Sequence, residues 1–327
     1  MWRMSSLLIL TVCLSAWLSL HLGIRATPPS DVLRAIWGTD QDAQALIVRN
    51  LRITRTVLAI AVGGALGLAG LLMQTVTRNA IAEPGLLGIN AGAAFAVVVV
   101  ITLAPSAGIW TIMLAAAVGA LAATALVMGL VVATGSGMAP ITLLLAGVSI
   151  AALLNAGLQV LIILDEAVLE DLLSWLAGVF VDRPLAGLWV SVPVLVGAAA
   201  VCYGARNTLD VLTTDDASAT TLGVPVVKMR LMLLCTVALL AGSAVALAGP
   251  IAFVGLVAPH LARLSGARQH SALIPVSILW GAVLCIAADV LARFVLYPTE
   301  APVSAVMALI GVPLLIALMR RHRTVAA

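Results

Sequence analysis

The chain has 327 residues, 63% of them apolar and only 9% charged, with a mean hydropathy of +1.19. A soluble domain carries about 25% charged residues, so this composition excludes an ordinary water-facing surface. The chain reads as an all-α polytopic membrane protein: the short alternating segments of a membrane β-barrel are missing, and the net charge of +3 says less than where the charges sit.

Apolar runs bounded by Pro, Gly or charge predict ten spans in a single transmembrane domain, at about 5–24, 50–77, 88–104, 109–134, 141–163, 186–205, 229–249, 253–265, 272–296 and 303–319. The first lacks a small-x-small cleavage site before Thr27, so an uncleaved span is expected rather than a signal peptide. Arg49, Arg52 and Arg55 open the second span three residues apart and share a helical face. That span exceeds what a bilayer needs, so it should tilt or project.

Glycine-rich stretches at 63–70, 88–96 and 241–249 are read as faces where lipid-embedded helices approach closely. Span five carries Ser149, Asn155 and Gln159, the last two four apart on one face. Such residues face protein or a water-filled cavity; helix–helix hydrogen bonding and pore lining both remain open at this point. The loop "LTTDDASATTLGVPVVKMR" (212–230) predicts a short helix capped by Thr214 or Asp215, with Asp216 at its positive end, Gly223 stopping it and Pro225 preventing continuation. Span eight, "FVGLVAPHLARLS", is too short for a straight crossing, and Pro259 inside it requires sheltering neighbours. Its His260 is read as structural, and Cys13, Cys202, Cys235 and Cys285 as packing residues.

Several chemistries find no support. No GxxxxGK[ST] occurs, so no nucleotide site is expected on this chain. No HExxH or GxSxG lies in any span, which disfavours an intramembrane enzyme. No Asp, Glu, Lys or Arg falls near the middle of a span, which disfavours an ion-coupled secondary transporter, the alternative of a different class. No metal site, bound cofactor or nucleic-acid partner is expected. Placing the C-terminal "RRHR", Lys228 and Arg230 in the cytoplasm leaves ten Lys/Arg inside against seven outside for ten spans, or eleven against six for nine. The positive-inside rule does not separate these.

From about residue 49 to 320 the chain resembles the FecCD-type permease family of ATP-binding-cassette importers for iron–siderophore, haem and cobalamin uptake. The pieces occur in order: "LRITRT", "GLAGLLMQTVTRNAIAEPGLLGINAGA", "LLLAGVSI", "WLAGVF", "DDASATTLGVP", "GPIAFVGLVAPHLARLSG", "ADVLAR" and "TEAPVSAVMALIGVPLLIALMRR". The wording is nearest to permeases for ferric catecholate siderophores, with haem or cobalamin as alternatives.

The resemblance implies ten spans in the cell inner membrane with both termini cytoplasmic. It implies three partners besides lipid: an ATPase subunit that holds ATP and Mg, an extracytoplasmic substrate-binding protein, and a second permease subunit, identical or homologous. It places Arg52, Arg55 and Arg293 where the family docks the binding protein; the alternatives are that they anchor helix ends to lipid phosphates and that Arg293 simply pairs with Asp289. It makes Asp215, Asp216, Ala219, Leu222 and Gly223 the element that couples to the ATPase, Asn79 and Ile81 the cytoplasmic gate, "GMAPI" (137–141) the matching turn, and Asn155 and Gln159 pathway residues. The segment 165–173 would extend span five near the outer mouth. Thr54, Ala80 and Asp215 depart from the family wording, leaving the bend at 54, the turn at 80 and the cap at 215 open.

Overall fold

The computed structural model describes residues 2–23, 26–38, 42–135, 139–165, 167–181, 183–296 and 299–325, with side chains described except at 2–5, 167 and 317–325. In chain order the helices are α1 (Trp2–His21), α2 (Pro29–Trp37), α3 (Ala43–Leu46), α4 (Thr54–Thr77), α5 (Ile89–Leu103), α6 (Ile109–Ala133), α7 (Pro140–Leu164) and α8 (Ala167–Leu176). Then follow α9 (Leu188–Gly204), α10 (Arg206–Leu212), α11 (Asp216–Thr221), α12 (Val226–Ala248), α13 (Val254–Leu264), α14 (His270–Val295) and α15 (Val303–Val325). Each of the ten expected spans coincides with one long or half-length helix. Six are long and apolar enough to cross a bilayer by themselves, and α1, α5, α13 and α15 contribute shorter apolar stretches among the described residues.

The second span departs from expectation at its start. A π-helical turn over Ile47–Ile53 joins α3 to α4, so helix runs without a break from Ala43 to Thr77. At 1.5 Å per residue those 35 residues reach about 52 Å, against about 30 Å of hydrocarbon. Thr54, one of the departures from the family wording, lies inside this continuous helix directly after the π-helical turn, with αR backbone. The segment before it, which lies between the first two predicted spans, folds α2 against the π-turn, with Val32, Ala35, Ala45 and Val48 forming a small separate core.

Helix α4 is the central post, buried almost throughout against α12, α13 and α14. Its glycines explain how. A Cβ on Gly63 would stand 2.3 Å from the carbonyl oxygen of Gly281, one on Gly67 2.4 Å from that of Ser277, and one on Gly70 1.8 Å from that of Gly255. The backbones therefore touch directly, and dispersion over this contact replaces the hydrophobic force that lipid cannot supply. Gly92 and Gly119 join α5 to α6 in the same way. The stretch 241–249 is looser, since a Cβ on Gly242 would sit 3.4 Å from that of Ala120.

The short α13 is sheltered as its proline requires: Val254 through Pro259 are all buried. Cys202 and Cys285 are buried, but Cys13 and Cys235 face outward and do not pack in the core.

Candidate functional site

At one end of the bundle the segment 206–225 folds into α10 and α11. Asp215 is the cap of α11, its Oδ1 accepting from the Ser218 N–H at 2.9 Å, while the Thr214 hydroxyl donates to the Val211 carbonyl. Bonding to the Ser218 N–H holds the Asp215 carboxyl below the usual carboxylate range. Gly223 takes φ +81°, with nothing within 4 Å of where a Cβ would be.

Asp216 does more than complement the helix end. Its Oδ1 accepts from Arg78 at 2.6 Å and from Arg230 at 2.8 Å, joining α11 to the end of α4 and the start of α12. Partial burial pushes its carboxyl up, but the two guanidinium groups outweigh this and hold it below the ordinary value. Leu222 is 68% exposed and presents an apolar point to solvent. Ala219 corrects the expectation drawn for it: it is fully buried against its own chain and offers no surface to a partner.

An Asp215→Ala chain should show faster amide exchange at Ser218, with exchange in α12 unchanged. Because the carboxyl is depressed, the cap persists at all pH values above the ordinary Asp range and is lost only as pH falls through the folded value. The protection of the Ser218 amide, its exchange rate compared with the intrinsic rate at each pH, should therefore stay level from neutrality down to about pH 4.

Beside Arg78 lies the expected gate. The Asn79 Oδ1 accepts from the Ile81 N–H at 3.1 Å and the Asn79 carbonyl from the Ala82 N–H, so the turn forms without the usual proline at 80. Ile81 projects, 49% exposed. Of "GMAPI", Gly137 and Met138 lie outside the described residues, and α7 begins at Pro140.

The chain then climbs back into the bundle, where a Glu83 oxygen accepts from the Phe253 N–H at 3.3 Å, just before α13. It shares a small cavity with Leu66, midway along α4, and with Asn90. No Asp, Glu, Lys or Arg lies near the middle of a predicted span, as expected; Glu83 sits on the connection after α4, which brings its carboxyl group to the level of Leu66. Its bond to a half-helix N-terminus gives it a structural partner.

The opposite end holds the three arginines, and the structure differs from the picture of free docking charges. Arg52, Arg55 and Arg293 are 7%, 7% and 2% exposed. Arg55 donates to Asp289 Oδ1 at 2.7 Å and to Glu300 at 2.8 Å. Arg293 meets the other Asp289 oxygen, the Ser19 carbonyl at 2.7 Å and the Ser19 hydroxyl at 3.0 Å. Arg52 donates to the carbonyls of Leu20 and His21 at 2.7 and 2.9 Å. These guanidinium groups thus satisfy the end of α1 and tie it to α4, α14 and the start of α15. Asp289 is fully buried, whereas the Glu300 side chain is 33% exposed. Among the described residues the cluster sets three guanidinium groups against two carboxylates.

Helix α7 is the least covered of the long helices. Ser149, Asn155 and Gln159 are all exposed along it, while Gly147 contacts the Leu86 carbonyl on its buried side. Asn and Gln are poor lipid-facing residues, so this face fits a protein partner or an aqueous path.

Arg78, Arg230, Glu83 and Glu300 join these sites without a local signal in the sequence. The partners of Arg55 lie 234 and 245 residues away, and no short pattern announces them. Asp289, four residues from Arg293, is the one visible sign of the cluster.

Comparison with known proteins accounts for nearly the whole chain. Residues 7–321 match the FecCD transport family. The chain is 41% identical over 315 residues to the ferric enterobactin transport system permease protein FepD of Escherichia coli K12, covering 96% of this chain and 94% of that one. It is 37% identical over 311 residues to the Fe(3+) dicitrate transport system permease protein FecC of the same organism, covering 94% and 93%. A solved inward-facing structure, of a transporter assigned to the metal-chelate ABC type, superposes with a TM-score of 0.84 at 25% identity, covering 97% of this chain and 98% of that one.

Proposed function

The chain belongs to the FecCD transport family, and on that premise we propose that this ABC-importer permease moves a ferric siderophore of catecholate type inward from an extracytoplasmic binding protein. It is a multi-pass membrane protein and not itself a catalyst; the energy comes from ATP hydrolysed on a separate subunit. The observation that carries the reading is α7, a membrane-length helix left uncovered and bearing Asn155 and Gln159. A second permease subunit set against this face would enclose a pathway lined by those two side chains.

The α11 end is read as cytoplasmic, with both chain termini on that side. Asp215, Asp216, Leu222 and Gly223 form the surface that meets the ATPase, and the Asp216–Arg78 bond carries its motion to Asn79 and Ile81 at the gate. The binding protein is read as docking at the opposite end, over Glu300. There the guanidinium groups of the Arg52–Arg55–Arg293 cluster favour an arriving carboxylate. In this reading the arginines form the floor of the docking face rather than its exposed contacts.

The catecholate assignment rests on the relative named for ferric enterobactin, and ferric dicitrate is the competing substrate. Uptake of labelled ferric catecholate and ferric dicitrate in a strain lacking its own permeases tests this. Catecholate should accumulate and dicitrate should not; the reverse would reassign the substrate. In the same assay Leu222→Glu with Gly223→Trp should abolish accumulation without lowering the amount of permease in the membrane. Unchanged uptake would remove the coupling assignment.

A further inference from the structure

Helix α2 is nine residues long and carries two apolar faces, of which its own chain covers one. At roughly 3.6 residues per turn its side chains fall into three sectors. Val32 and Ala35 make the first and are buried with Ala45 and Val48, against Trp17 and Leu20 of α1. Leu33, Ile36 and Trp37 make the second, one helical turn apart and all exposed, Trp37 by 84%. Ser30, Asp31 and Arg34 make the third, which is polar. Arg49 fixes the helix in this orientation, its guanidinium donating to the Ala35 and Gly38 carbonyls at the end of α2.

The packing partners set the depth. Helix α1 has 20 residues and rises about 30 Å, the thickness of the hydrocarbon core. Trp17 and Leu20, on which α2 rests, belong to its last turns, so α2 lies at the edge of the hydrocarbon, at the end of the bundle away from α11. Leu7, Leu10, Leu14 and Leu18 are exposed along the same span and face lipid. The exposed apolar sector of α2 lies at the level where that lipid-facing surface ends, the level that suits a tryptophan.

We propose that α2 is an interfacial helix whose Leu33, Ile36 and Trp37 insert into the lipid leaflet at this end, with Ser30, Asp31 and Arg34 turned to headgroups and water. A helix lying in the membrane plane needs an apolar sector towards the hydrocarbon and a polar one towards water; the remaining sector of α2 fastens it to the bundle. A water-soluble partner would have to reach a face that already lies at the edge of the hydrocarbon. The polar face that calls for a second permease is on α7. Inserted in this way, α2 holds the π-helical turn, and Arg52 on it, at the membrane surface.

Spin labels on the full chain, in liposomes of phosphatidylethanolamine and phosphatidylglycerol, test the proposal. With the four native cysteines replaced by alanine, labels attached through Leu33→Cys, Ile36→Cys and Trp37→Cys should collide more with oxygen, which dissolves in lipid, than with a water-soluble nickel chelate. Ser30→Cys and Arg34→Cys should show the reverse. A chain that keeps its cysteines gives an independent reading: lipids brominated in the upper acyl chain should quench part of its tryptophan emission, and the quenchable intensity should fall in Trp37→Phe. Nickel collisions exceeding oxygen collisions at Leu33, Ile36 and Trp37 would put the face in water, and poor access to both reagents would put a second copy of the chain on it. Either result, or a quenchable intensity unchanged by Trp37→Phe, would overturn it.

Discussion

An Asp289→Ala chain is expected to lose about 3–5 kcal/mol of stability, the usual cost of removing one partner from a buried ion pair. The carboxylate is fully buried and joins two guanidinium groups: Arg55 donates to one oxygen and Arg293 to the other. Deleting it leaves two positive charges facing each other at the meeting of α1, α4 and α14. Glu300→Gln should cost far less, because the Glu300 side chain is one-third exposed and water can take its place. Thermal inactivation of the two purified variants beside wild type measures this. Equal loss in both would mean that the cluster is not organised around Asp289. Reversing Arg52 and Arg55 to Glu should likewise disrupt folding, so such a variant would not isolate a docking defect.

The second large effect falls on Gly70. An alanine already places a carbon 1.8 Å from the Gly255 carbonyl oxygen, so Gly70→Leu forces α4 and α13 apart. Overpacking costs about 1–3 kcal/mol where side chains can give way, and more where the obstacle is backbone. The Gly70→Leu chain should therefore fail to accumulate as folded protein. Gly197→Leu is the control: a Cβ there meets nothing within 4 Å, and the substitution should be close to neutral. Fluorescence size-exclusion profiles of the two variants distinguish a packing contact from a general intolerance of glycine replacement.

Much of this architecture is legible in the amino-acid sequence. Ten apolar runs correspond to ten helices, and even the short one containing Pro259 is visible, because hydrocarbon demands continuous apolar helix and punishes anything else. The capped helix at 215–221 is equally plain, since Asp215, Gly223 and Pro225 act on their immediate neighbours. What the sequence hides depends on residues remote along the chain. An arginine at a helix end can face solvent or bundle, and only Asp289, Glu300 and the carbonyls closing α1 decide that Arg52, Arg55 and Arg293 turn inward. Glu83 is concealed for a related reason. It lies outside every apolar run, and its depth becomes apparent only once the connection after α4 is seen to rise towards Phe253. The amphipathic α2 is hard to read because its small core is completed by Ala45 and Val48, which lie on α3 and the π-helical turn.

If this chain forms the path while another subunit supplies the energy, transport must follow ATP and nothing else. Reconstituting the chain in liposomes with its ATPase, and adding the substrate-binding protein loaded with a labelled ferric catecholate, measures this most directly. Accumulation should require ATP on the ATPase side, stop when the ATPase is omitted, and be indifferent to an imposed proton or sodium gradient. Gradient-driven accumulation by the chain without the ATPase would contradict this division of labour and restore the ion-coupled carrier, with Glu83 as the residue to suspect first.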